Sequence, residues 1–178
     1  MSLAATVHAS CRLHPLALAL SVCLMVATGC SDPCDSSDDP QLILGTGVGG
    51  AFSPIADDQD VGLEAAPQGG FGVTALLRTL GLSASDTSLA NAQLDVLIDG
   101  ELEGSFLLTD ARLLCRSDGE GGEISGVVVG FDPDVYVTTD DLLALNGQSV
   151  ELDVTVTDET GNSAQALKPV TVVYGDQD

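Results

Sequence analysis

Seven aspartates fall in three short loops of this 178-residue chain: Asp57, Asp58 and Asp60 in "ADDQD", Asp132 and Asp134 in "DPD", and Asp140 and Asp141 in "TTDDL". Calcium takes six to eight oxygen ligands from carboxylates and carbonyls. Loops of this composition, gathered at one end of a fold, supply that chemistry, so calcium is the one cofactor the sequence suggests. The competing use of these aspartates is as solvated turns in an acidic protein. The stretch "SDGEGGEIS", residues 117–125, lacks the first two ligand positions of an EF-hand and is set aside.

The cysteines offer different chemistry. An apolar run, residues 16–27 ("LALALSVCLMVA"), follows Arg12, His8 and His14. A membrane-crossing helix needs about 20 apolar residues, so the run has the size of a signal-peptide core instead. Ala27-Thr28-Gly29-Cys30 then resembles the bacterial lipobox, in which the cysteine thiol is acylated and the chain is cut before it. Residues 1–29 are therefore expected to be a lipoprotein signal peptide, with Cys30 the lipidated residue. The alternative is an ordinary cleaved leader. More than one acyl chain makes attachment stable, and Ser31 after the cysteine favours the outer membrane over inner-membrane retention. Cys11 and Cys23 leave with the leader. Cys34 and Cys115 remain as an even pair in an oxidising compartment, and either a disulfide between them or two separate thiols fits the sequence.

Catalytic patterns are missing. Both histidines, His8 and His14, lie in the leader, which removes Ser-His-Asp arrangements and histidine zinc sites from the mature chain. "GTGVGG", residues 45–50, runs into "AFSPI" and not into a helix, as a dinucleotide fingerprint requires. Carboxylate pairs for glycoside hydrolysis are too abundant to single any out. The aromatic platforms that sugars favour are few: Phe52, Phe71, Phe106, Phe131, Tyr136 and Tyr174, with no tryptophan. The expectation is a protein that is not an enzyme.

The mature chain sets 27 acidic residues against Arg78, Arg112, Arg116 and Lys168, a net charge near −23. Nucleic-acid affinity rests on neutralising phosphates with cations, so DNA and RNA are excluded as partners. Anionic headgroups repel such a domain too, leaving the lipid as the membrane contact.

The elements that must carry these residues read as strands. "SDPCDSSDDP", residues 31–40, has almost nothing to bury and reads, with Cys30, as an acidic tether over 30–40. From Gln41 onward, apolar residues recur every second position. Phe71, Val73, Ala75 and Leu77 share one face; so do Leu94, Val96 and Ile98; Asp99-Gly100 is a hairpin turn, returning through Leu102, Phe106 and Leu108. "VELDVTVT" puts Val150, Leu152, Val154 and Val156 inward and closes at "DETGN", before a last strand over 164–174 in which Pro169 marks an edge or a bulge. Shorter strands are expected at 42–44, 61–64, 111–116, where Cys115 is in phase with Ala111 and Leu113, and 124–129. Residues 138–147 suggest a helical turn capped by Thr139 or Asp140 and ended by Asn146-Gly147. Residues 41–178 thus predict an all-β fold, a single antiparallel immunoglobulin-like β-sandwich. Pro67, Gln68, Gly69 and Gly70 form the least ordinary loop: a tight turn, or a bare backbone that meets a partner.

"LILGTG", "AFSPIADDQDV" and "PQGGFGVTALLRTLGL" together resemble uncharacterised envelope lipoproteins of Gram-negative soil bacteria, which share an "LGTG…F.P…D…V…PQGG…LR..GL" order. The chain departs from that pattern at Ala66 and Gly72. The second half is similar to bacterial immunoglobulin-like modules. The resemblance implies location and fold and brings no activity. The function expected is that of a non-catalytic, lipid-anchored envelope module, facing the periplasm or the cell surface and contacting an unknown protein. The alternative is a calcium-dependent adhesion or carbohydrate-contact module.

Overall fold

A computed structural model describes residues 34–47, 51–65 and 70–174. Cys30, the residues before Cys34 and Pro67, Gln68 and Gly69 lie outside the described residues. The chain is all-β, with ten strands and one short helix among the described residues. In order these are β1 (Gln41–Thr46), β2 (Ser53–Pro54), β3 (Gln59–Ala65), β4 (Phe71–Leu80), β5 (Leu89–Ile98), β6 (Glu101–Arg112), β7 (Leu114–Cys115), β8 (Gly122–Gly130), α1 (Thr139–Leu145), β9 (Ser149–Asp158) and β10 (Ser163–Val173).

The strands make two layers. In the first, β4 lies at the centre, with β8 on one side and β1 on the other, and β2 and β7 extend the flanks. In the second, the order is β10, β9, β5, β6. β3 belongs to both: Gln59 to Gly62 pair with β10, and Leu63 to Ala65 pair with β4. The β3–β10 ladder is parallel, with Val61 opposite Val172. This corrects the expectation of purely antiparallel sheets. A strand that changes layers part-way can run alongside a late strand without a crossover helix.

Alternation places the core between the layers. Val73, Ala75 and Leu77 of β4, Leu94 and Val96 of β5, and Val150, Leu152, Val154 and Val156 of β9 are all essentially inaccessible to water and form one cluster. Each such Val or Leu contributes roughly 1.5–3 kcal/mol by leaving water. The β5–β6 turn is Asp99 (φ 51°) and Gly100 (φ 80°), the double positive φ of a type I′ hairpin.

Three local departures have physical causes. Leu102 is 59% exposed, because the β5–β6 register shifts between Val96 and Leu97. That bulge inserts an extra residue in β6 and takes Leu102 out of phase with Gly104 and Phe106. The expected strand 111–116 is broken at Leu113, where the chain leaves β6 for β7 in the other layer; Leu113 is fully buried and exchanges backbone hydrogen bonds with Ser85 and Ser88. Pro169 lies on an edge, with no bulge. Its carbonyl accepts from Asp58 N–H, so its missing N–H lies on the side of β10 where the β3 ladder has not yet begun.

Part of the segment read as tether belongs to the domain. Cys34 is buried and bonded to Cys115, with Cα atoms 5.7 Å apart and 81 residues of separation. Ala84 N–H donates to the Cys34 carbonyl and Ser37 N–H to that of Gly81. The described stretch 34–40 is thus laid against residues 81–84.

Candidate functional site

The acidic loops that suggest calcium each make contacts of their own. Asp57 pairs with Lys168 Nζ at 2.6 Å, Asp58 adopts a positive φ in the turn before β3, and Asp60 sits in β3 opposite Thr171. Asp132 accepts from Asp134 N–H at 2.8 Å in the turn after β8. Asp140 and Asp141 open α1, whose N-cap is Thr138, one residue before the expected cap. Asp141 Oδ2 accepts from Thr138 N–H and Oγ1, completing a capping box. Those hydrogen bonds from Thr138, with one from Val137 N–H, outweigh burial and hold the Asp141 carboxyl below its usual range. Each loop is committed to its own turn, strand or helix end. Among the described residues, no three Asp, Glu, His or Cys side chains lie close enough to share a metal ion.

Of the PQGG loop only Gly70 is described. Its φ is 77°, and a Cβ there would sit 3.1 Å from Pro133. The "LGTG…F.P…LR" part of the pattern has a packing origin. The Phe52 ring lies where a Gly45 Cβ would be, and the Arg78 guanidinium stacks 4.0 Å above it while pairing with Glu123 at 2.9 Å. Cation–π contact and close backbone approach explain these residue types without a ligand.

A different region has the geometry of a binding site. β6 ends the second layer and β8 lies near the same margin of the first. At Gly104 the two meet: a Cβ there would stand 2.1 Å from the Gly130 carbonyl oxygen, and Asp132 N–H donates to the Glu103 carbonyl at 2.8 Å. Tyr136 reinforces the closure, its hydroxyl donating to Glu103 at 2.7 Å and its ring meeting Phe131 edge-on at 5.1 Å. Past this point the edges part. Ser125-Gly126 forms a bulge in β8, with Gly126 at φ 69° and nothing within 4 Å of the position of its absent Cβ. Between the parted edges is a cleft of about 510 Å³, floored by Phe71 and Leu94 and walled by Phe106, Leu108 and Val127.

No protein-family model, no curated protein and no solved structure matches the chain.

The chemistry of the seam between β6 and β8 rests on its own residues. Phe106 is paired with buried Leu94, and facing residues of an antiparallel pair share a side, so Phe106 is on the core face of β6; yet it is 37% exposed. The polar groups at the rim are Glu103, Asp132 and Asp134, with no lysine or arginine in the lining. The arrangement also holds Ser105, whose hydroxyl donates to Asp95 Oδ1 at 2.6 Å. What it offers is an apolar slot, two strand edges and an acidic rim. Sequence reasoning placed Phe106 and Leu108 on the inward face but missed the cleft, because alternation reports which face a residue takes and not whether the opposite layer reaches it.

Proposed function

We propose that the chain is a non-catalytic lipoprotein of the bacterial cell envelope, anchored by lipid on Cys30, whose sandwich binds another envelope or surface protein through the β6–β8 seam. The observation that carries this reading is the exposure of Phe106 on the inward face of its sheet. Close packing is the rule between sheets, and an apolar opening rimmed by polar groups is the surface that partners cover. The lipobox-like "ATGC" and the short apolar leader support the envelope location, and Ser31 supports the outer membrane. The charge of −22 over the whole chain supports a protein partner over nucleic acid or anionic lipid.

The test is photo-crosslinking in intact cells, with benzoylphenylalanine in place of Phe106 and, as control, of Leu167 on the outer face of β10. A discrete protein adduct from the first position only is expected. Equal adducts, or none from Phe106, would overturn the reading. A calcium-dependent adhesion or carbohydrate-contact role draws no support from the acidic loops, which form no group of three ligands among the described residues. A melting temperature that rises with added calcium would restore it.

A further inference from the structure

We infer that the seam takes one class of partner: an extended polypeptide segment, alternating apolar and basic residues, that adds as a strand to the edge of β6. This rests on the binding role proposed for the seam and specifies its ligand.

Three observations converge on it. The first is the backbone. β6 pairs with β5 alone, and its one other backbone–backbone hydrogen bond among the described residues is Asp132 N–H to the Glu103 carbonyl, at the closed end of the seam. From Gly104 to Leu108 the outer edge pairs with no strand, and beyond the contact with Gly130 at Gly104 its N–H and C=O groups are left to pair with an incoming chain.

The second is the side-chain pattern along that edge. Charges sit at the two ends, Glu101 and Glu103 before the window and Asp110 and Arg112 after it, and a bulge lies at each end as well. Such charges and bulges are the devices that keep strand edges from pairing. Between them "GSFLL", residues 104–108, is uncharged, with Phe106 and Leu107 exposed. The window is about 17 Å long at ~3.4 Å per residue, enough for a short strand. Side chains alternate across a strand, so an added strand would send every second residue into the slot beside Phe106 and Leu108 and the others to solvent. That periodicity fixes the apolar half of the partner.

The third is charge. The rim carboxylates Glu103, Asp132 and Asp134 have no cation among the lining residues, and the whole chain carries −22. Complementary potential favours a basic partner and disfavours a second copy of this chain.

The test uses the full-length protein in detergent micelles and a nine-residue peptide alternating valine and lysine. Binding is expected, with new amide-exchange protection confined to residues 104–108. It should weaken about tenfold when alternate peptide amides are N-methylated, which keeps the charge and removes one hydrogen-bonding edge. A Phe106→Ser variant should weaken it by a similar factor. Equal binding of the N-methylated peptide, or protection spread over other strands, would reduce the association to bulk charge attraction and overturn the inference. So would equal binding of a valine–glutamate peptide, or a protein that doubles in mass by sedimentation through Phe106. The crosslinking result separates the two levels: adducts from Phe106 with no strand-like peptide binding would retain the binding role and discard the strand.

Discussion

The Tyr136 hydroxyl donates to Glu103 Oε2 at 2.7 Å across 33 residues of sequence, tying the loop after β8 to edge strand β6. Burial first, then the hydrogen bond and negative charge of Glu103, with a contribution from Asp141, push the phenol up to about 12. The unfolded phenol titrates near ~10. Between those values the unfolded chain has lost the proton and the folded chain keeps it, so stability falls as pH rises through that window. Denaturant unfolding from pH 9 upward should show this decline, and Tyr136→Phe should flatten it; an unchanged slope would mean the phenol does not couple to folding.

Asp158 contributes in the opposite pH range. Burial raises its carboxyl, but hydrogen bonds from Ser83 N–H, Thr160 Oγ1 and the Asn162 and Thr160 N–H groups outweigh it, and the net shift is downward. The folded state therefore holds the proton more weakly than the unfolded one. Its stabilisation is present above the ordinary aspartate value of ~3.9 and is lost as pH falls through the lower folded value. Asp158→Asn should cost about 1–3 kcal/mol at neutral pH and reduce the acid sensitivity, measured by urea melts from pH 7 to 2.

The Cys34–Cys115 disulfide links two positions with a sequence separation of 81. Cross-links of this span restrict the unfolded chain, and removing a native one costs about 2–5 kcal/mol. A reductant, or Cys115→Ser, should lower the melting temperature by roughly 2–4 °C per kcal/mol lost. A melting curve indifferent to reductant contradicts this.

Thr79 is 1% exposed, and its Oγ1 is the one fully buried side-chain polar atom without a hydrogen-bond partner among the described residues. Thr79→Val removes the stranded hydroxyl at nearly constant volume. A gain of about 1 kcal/mol is expected in urea unfolding; a loss would mean the hydroxyl is satisfied in solution.

Gly104→Val should do the reverse. The new side chain would meet the Gly130 carbonyl and the Phe131 Cα, backbone that cannot rotate away, and push β6 from β8. A cost of about 1–3 kcal/mol and faster proteolysis at β6 are expected.

What the sequence showed followed from local rules. The alternation of Val150, Leu152, Val154 and Val156 and the Asp99-Gly100 turn survive folding because the two-residue period and positive-φ turns are properties of the chain itself. Leu102 was misplaced because one extra residue in β6 reverses every side chain beyond it, and nothing in "DGELEGSF" marks where the bulge falls. The parallel β3–β10 pair and the docking of Cys34 join residues far apart in sequence, where periodicity carries no information. The acidic loops were legible as loops; whether they converge depends on tertiary placement. The seam was hidden for the same reason, since two separated strands, β6 and β8, have to end side by side and then diverge.

The position of Cys34 has a mechanical consequence. Tension applied from the N-terminal side reaches Cys34 and passes through the sulfur–sulfur link to Cys115, bypassing β1 to β6. The first strand cannot be unzipped from the edge, because the load arrives beside β7 and β8 instead. The 80 residues between the two cysteines are sheltered from a pull that would otherwise peel them away in sequence order. A domain loaded this way should yield in one late, high-force event when oxidised and in earlier, smaller steps when reduced.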